Sequence, residues 1–172
     1  MSQLILEEVV NVSKEKAWKV LVTEFGDVYK WNPNLQGSHF MNGASEGGMD
    51  CERRCDLDGK TYFEERIIDV KEGNEVTIKI TSSNFPMVHE MAGTFQLEEL
   101  GANKTQIKMV INVTTKPAIM VHLLKIQMRK LLKKSMIGLK YYLETGRSVS
   151  DTNFRNINVD YKKLSPAQAF AV

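Results

Sequence analysis

Between Gly37 and Thr115 short turns, most of them bearing glycine and one the loop "SNFP", cut the chain into six segments of alternating apolar and polar residues; it then runs for about thirty residues, from Pro117 to Gly146, without such a break. The two stretches need each other. A period of two leaves one face of a sheet apolar, and that face has to be covered. An amphipathic helix of this length carries an apolar stripe that has to be buried. The strand segments are "GSHFMNG", "MDCERRCDL", "KTYFEERIIDV", "EVTIKITS", "MVHEMAGTFQLEEL" and the run that follows "GANK". Val76, Ile78 and Ile80 share a face; so do Met87, His89, Met91, Gly93, Phe95 and Leu97, and so do Ile107, Met109, Ile111 and Val113. On the helix, Met120, Leu124, Met128, Leu131, Ser135, Leu139 and Tyr142 recur at three- and four-residue steps, and this stripe is expected to lie on the sheet.

The beginning of the chain supplies the remaining elements. "QLILEEVVN" reads as a strand, and Ser13 caps a helix whose apolar positions are Ala17, Trp18, Leu21, Val22 and Phe25. Gly26 is expected to end that helix. "DVYKW" then makes a second, very short helix that Asn32-Pro33 terminates. The predicted architecture is α+β: a curved antiparallel sheet of about seven strands around a long C-terminal helix, with two short helices after the first strand. A sheet that curves around a helix without touching it everywhere leaves a cavity between them. The chain of 172 residues, 42% hydrophobic and 26% charged, has the make-up of a soluble globular protein with a real core.

The order of elements and three local phrases, "VSKEKAWKVLVTEFGDVYKWNP", "DGKTYFEERIIDVKEGNEVTIKI" and "GTFQLEELGANKTQIKMVINV", resemble the SRPBCC or START-like superfamily, the helix-grip fold of polyketide cyclase/dehydrase-like proteins, the major birch pollen allergen, plant abscisic acid receptors and lipid-transfer START domains. The resemblance covers about residues 1–146, the START-like domain, and leaves 147–172 as a C-terminal extension. It implies that the two short helices form a V closing one end of the cavity, with Tyr29 and Trp31 near that end, either lining the cavity or plugging the core. "LDGK" and "SSNFPM" stand where the hormone receptors carry their gate and latch loops and do not match them. Phe85-Pro86 is left as part of a hydrophobic lip.

His39, His89 and His122 lie on different elements with no metal-ligand spacing and no nucleophile beside them, so no metal and no cofactor is expected. His89 shares an apolar face, as a satisfied core histidine or as a hydrogen-bonding or acid/base group in the pocket. Glu65, flanked on its face by Phe63 and Ile67, is the carboxylate expected to point inward, where it has a raised pKa or pairs with Arg53 or Arg66. Cys51 and Cys55 are about 13 Å apart along a strand, too far to bridge, and read as reduced thiols.

The leading functional expectation is a binding protein whose cavity, of roughly 300–1,000 Å³ if typical, holds a lipid-like or polycyclic small molecule. The expected lining is Tyr29, Trp31, Ile78, His89, Met91, Phe95, Met109, Ile111, Met120, Leu124 and Met128. The alternative is a polyketide cyclase/aromatase-like enzyme with Glu65, His89 or Tyr62 moving protons. A third reading, an interaction protein whose side chains fill the cavity, predicts no pocket. Seven basic residues (Lys116, Lys125, Arg129, Lys130, Lys133, Lys134 and Lys140) and no acidic one fall between Lys116 and Lys140, as a solvated outer face or as a dock for an anionic membrane surface or an acidic partner. No aromatic residues interleave with them, so nucleic acid is not expected.

The amino terminus has neither the basic segment nor the apolar run of a signal peptide, and the longest apolar run, "AIMVHLL", is far short of a membrane span, so a cytoplasmic location is expected. In the extension, Ile157, Val159 and Tyr161 alternate as a short edge strand would, and Ser165-Pro166 offers a helix start. The apolar residues there are expected to dock on the chain's own domain or on a neighbouring subunit, as in a homodimer.

Overall fold

In a computed structural model the described residues are 2–84, 88–115, 121–165 and 168–170, and all their side chains except those of 2, 88, 89, 115 and 121–124. Seven strands, β1 (Ser2–Val10), β2 (Gly37–Phe40), β3 (Glu52–Asp56), β4 (Tyr62–Lys71), β5 (Glu75–Ser83), β6 (Val88–Gly101) and β7 (Lys104–Thr115), make one sheet in the order β1-β7-β6-β5-β4-β3-β2. Every pairing is antiparallel. The short turns of the sequence dictate this, because they allow only neighbouring antiparallel strands; β1 alone crosses over, to pair with β7. The helix-grip arrangement follows from α2 (Val121–Thr145), which lies on the apolar face. Gly146 ends α2 with φ of +70° and its N–H donates to the Tyr142 carbonyl at 2.8 Å, the left-handed stop that favours glycine. The helix start expected at Pro117 lies outside the described residues.

The first helical stretch differs from its expected form. Ser13 Oγ accepts the Lys16 N–H at 3.3 Å and caps α1 (Lys14–Trp18), which widens into a π-helical turn over Lys19–Thr23 and then tightens into a 3-10 turn over Phe25–Lys30. Gly26 therefore sits inside the second turn instead of ending the first. The change of pitch turns Val20, Leu21, Val22, Phe25 and Val28 all into the core.

The extension is helical, contrary to the edge-strand expectation: α3 spans Asp151–Tyr161, and the Ser150 N–H donates to Asn153 Oδ1 at 2.8 Å at its start. Phe154, Ile157 and Tyr161, at helical spacing, face the body of the protein, whereas Val159, the middle member of the apparent alternation, is 49% exposed. Ile157, Val149 and Phe170 form a second small core with Ile137 of α2, and the Val149 N–H donates to the Lys30 carbonyl at 2.7 Å. The segment folds back on its own chain.

Lys140, counted from sequence with the outward basic residues, is a correction. It is 1% exposed, and its Nζ donates to Val9 O and Glu144 Oε1, each at 2.6 Å. Glu144 also accepts the Asn11 N–H at 2.8 Å and the Phe170 N–H at 2.8 Å. One buried ion pair thus ties β1, α2 and the tail together.

Candidate functional site

Between the apolar face of the sheet and α2 lies a cavity of about 120 Å³. Its sheet wall is Arg53, Phe63, Glu65, Ile78, Ile80, Met91, Gly93, Phe95, Met109 and Ile111; Val28, Trp31, Asn32 and Leu35 close one end, and Leu132 and Ser135 contribute from α2. Alternation along the strands delivers the wall, with one local device. Between β4 and β5 the register shifts after Glu64, so that Glu65 faces Ile80 and Ile67 faces Ile78; the bulge aims Glu65 and Ile80 together at the cavity. Gly93, between Ile78 and Ile111 on the neighbouring strands, keeps the wall low, since a Cβ there would meet Ile111 Cδ1 at 2.6 Å.

Two polar groups interrupt the apolar lining. On the sheet, Arg53 Nε donates to Glu65 Oε2 at 2.7 Å and Nη1 to the Phe25 carbonyl at 2.8 Å, with the guanidinium 3.9 Å above the Phe25 ring. Both side chains of this pair are largely buried, 7% and 13% exposed. The carboxylate expected from sequence to face the pocket therefore does so with its counter-charge attached. Near the α2 side, Asn34 Nδ2 donates to Ser135 Oγ at 2.9 Å and to Asn32 Oδ1 at 3.0 Å. The buried Asn34 Oδ1 has no hydrogen-bond partner among the described residues.

Of the residues expected to line the cavity, Trp31, Ile78, Met91, Phe95, Met109 and Ile111 come together there. Tyr29 does not: it is among the exposed large side chains, because the tight 3-10 turn that brings Val28 and Trp31 inward carries it outward. Met128 is half-buried and packs against the core, with Leu132 on the cavity wall one turn further on. Met120, and the side chains of Leu124 and His89, lie outside the described residues. Tyr62 faces the opposite side of the sheet, where the Arg54 guanidinium stacks 3.9 Å over its ring, and so it is removed from the proton-transfer candidates. Ile80 continues the Ile78 alternation and was legible in the sequence; Val28 reaches the cavity through the 3-10 turn, and Asn32 and Leu35 through the bend of the chain after Trp31. Cys55 is buried beside Glu65, and burial pushes its thiol far above its ordinary range. Among the described residues no group of metal-ligating side chains gathers.

A more open cleft of about 480 Å³ lies on the other side of the molecule, between β1 and the extension. In it Tyr161 Oη donates to Glu8 Oε2 at 2.7 Å, and Lys140 pairs with Glu144. The largely apolar cavity between sheet and helix is the better candidate site.

No known family profile matches the chain, and no curated protein does. Solved structures do. A START superfamily protein from Mycobacterium smegmatis superposes with a TM-score of 0.65 at 18% identity, over 82% of this chain and 98% of that one. Ara h 8.0201 gives 0.61 at 20% identity over 83% and 97%. The di-domain ARO/CYC BexL from the BE-7585A biosynthetic pathway gives 0.63 at 12% identity over 84% of this chain and 47% of that one. At these identities the likeness establishes the fold, which is the START-like helix-grip fold.

Proposed function

We propose that the protein binds a small, mostly apolar molecule with one polar group in the cavity between sheet and α2. The observation that carries this reading is the cavity's composition: apolar on most of its wall, with Arg53 and Glu65 paired to each other and, opposite them, a neutral pair in which Ser135 Oγ donates to Asn32 Oδ1 and which supplies the hydrogen-bonding handle. At about 120 Å³ the space is below the range expected from sequence. It accepts a body on the scale of one ring or a short alkyl chain, and the flexible thioethers of Met91 and Met109 allow it to widen. A polycyclic ligand is not part of the proposal. The unpaired cysteines suit a reducing compartment, and we assign the protein to the cytoplasm. Among the described residues no helix is long and apolar enough to cross a membrane.

Native mass spectrometry of the freshly purified protein, combined with titration of an environment-sensitive apolar dye, tests the reading. The wild type is expected to bind the dye, and Gly93→Val, which places carbon atoms in the cavity against Ile111, to lose that binding while keeping its far-UV circular dichroism. Equal dye affinity in the two proteins overturns it.

One observation favours a second reading, a cyclase-type enzyme: Glu65 is an acid–base group on the cavity wall. Turnover of a linear polyketide mimic by the wild type, lost in Glu65→Gln at a matched folded fraction, replaces the carrier reading with the catalytic one.

A further inference from the structure

The cavity accounts for the inner side of α2. On the outer side Ile126, Arg129, Lys130 and Lys133 follow one another at i, i+3, i+4 and i+7 and form a single stripe that continues as Ile137 and Tyr141. The second half of that stripe is covered by the C-terminal segment. Ile137 is buried with Ile157 and Phe170, Tyr141 meets the Phe170 ring edge to face at 5.1 Å, and neighbouring Lys134 pairs with Asp151 above the Phe154 ring.

The first half stands in solvent. Ile126 is 65% exposed, and Arg129, Lys130 and Lys133 are exposed as well. Among the described residues none of these three cations, nor the half-exposed Lys125, makes an ion pair, and the sequence from Lys116 to Leu143 contains no acidic residue. The whole chain carries a net charge of only +2, so this positive surface is local. The structure removes Lys140 and Lys134 from the basic set read from sequence; Lys116 lies outside the described residues, and Arg129, Lys130 and Lys133 gather on one side of one helix, away from Leu132 and Ser135 on the cavity wall.

We propose that this stripe docks on an anionic lipid surface, with Ile126 entering the headgroup layer and Arg129, Lys130 and Lys133 facing the lipid phosphates. A single exposed helix side is convex, and among the described residues it offers no pocket or aromatic cluster of the kind that anchors a folded partner. A lipid surface asks only for charge and shallow apolar insertion, and the stripe supplies both. The proposal is independent of what the cavity holds.

Co-sedimentation of the full chain with phosphatidylcholine vesicles, with and without phosphatidylserine, tests it. The wild type is expected to bind the phosphatidylserine vesicles, to bind the neutral ones far less, and to be released as salt rises. Lys130→Glu/Lys133→Glu is expected to weaken that binding by at least about 25-fold, roughly fivefold for each cation lost. Because both positions are exposed, dye binding in the cavity remains and shows that the variant is folded. Wild-type protein that ignores anionic vesicles, as it would if the stripe served an acidic protein, overturns the proposal, and so does a charge-reversed variant that binds like wild type. Gly93→Val is expected to bind vesicles normally, so loss of the cavity reading and loss of this one give different results.

Discussion

Arg53 is held on three sides, by Glu65, by the Phe25 carbonyl and by the Phe25 ring, and this makes the pair expensive to break from one end. Glu65→Gln leaves a buried guanidinium without its counter-charge and is expected to cost about 3 kcal/mol in urea denaturation, whereas Arg53→Met/Glu65→Met, which removes both charges, is expected to cost less than the single substitution. A double variant that loses as much as the sum of the two singles would show that the pair is not coupled. Glu8 is a second test at this scale. Burial, only partly offset by the Tyr161 hydrogen bond, raises its pKa above 4.5. A carboxyl with a raised folded-state pKa holds its proton more tightly when folded, so its contribution is favourable at low pH and is lost as pH rises from about 4.5 through the folded pKa. Glu8→Gln keeps an acceptor for Tyr161 and removes the titration. The stability of the variant relative to wild type is expected to be constant below that window and to grow across it, measured by thermal unfolding at a series of pH values. Alternation alone pointed Glu65 inward; the outward turn of Tyr29 depends on a change of helical pitch, which leaves no mark in local pattern, and Lys140, although Glu144 follows it by one helical turn, is buried beside the distant Val9 carbonyl.

Element by element, periodicity located the strands well and the helical faces less well. The α2 stripe was read through Leu131, which is 41% exposed, while Leu132 lines the cavity. A helix face is about three residues wide at each turn, and sequence does not say which edge of it meets the partner. What decides the rotation of α2 is contact, and Gly138 is the tightest point: a Cβ there would lie 2.2 Å from the Trp31 carbonyl and 2.9 Å from Pro33 Cδ. Gly→Ala in an exposed helix interior stabilises by roughly 0.5–1 kcal/mol, but here the obstacle is backbone. Gly138→Ala is therefore expected to destabilise by about 1–3 kcal/mol and to quench or shift Trp31 fluorescence. A rise in melting temperature would mean that the loop from Trp31 to Pro33 does not rest on the helix. In α3 the alternation of Ile157, Val159 and Tyr161 competed with the helical spacing of Phe154, Ile157 and Tyr161, and an eleven-residue segment contains too few repeats of either to choose.

The C-terminal segment stabilises the whole molecule by covering the back of α2. Ending the chain at Gly146 exposes Ile137 and removes Val149, Ile157 and Phe170 from their shared core, with an expected loss of about 2–5 kcal/mol in denaturant unfolding; an unchanged midpoint would show that the segment does not hold the fold. Across the molecule, sequence alone determined the succession of strands along the chain, the sheet's apolar face, the covering helix and most of the sheet side of the cavity. Each of these follows from periodicity and turn chemistry, which act over a few residues and are written locally. Only the tertiary structure decided the size of the cavity, the polar handle from Asn32, Asn34 and Ser135, the burial of Lys140 with Glu144, and which half of the outer stripe of α2 the C-terminal segment covers. The polar handle and the seat of Lys140 depend on groups more than a hundred residues apart meeting within a few ångströms, as Asn34 meets Ser135 and the Val9 carbonyl meets Lys140, and the cover on α2 depends on the chain folding back over its own helix. Packing at that range is set by the sum of all contacts and by no single stretch of sequence.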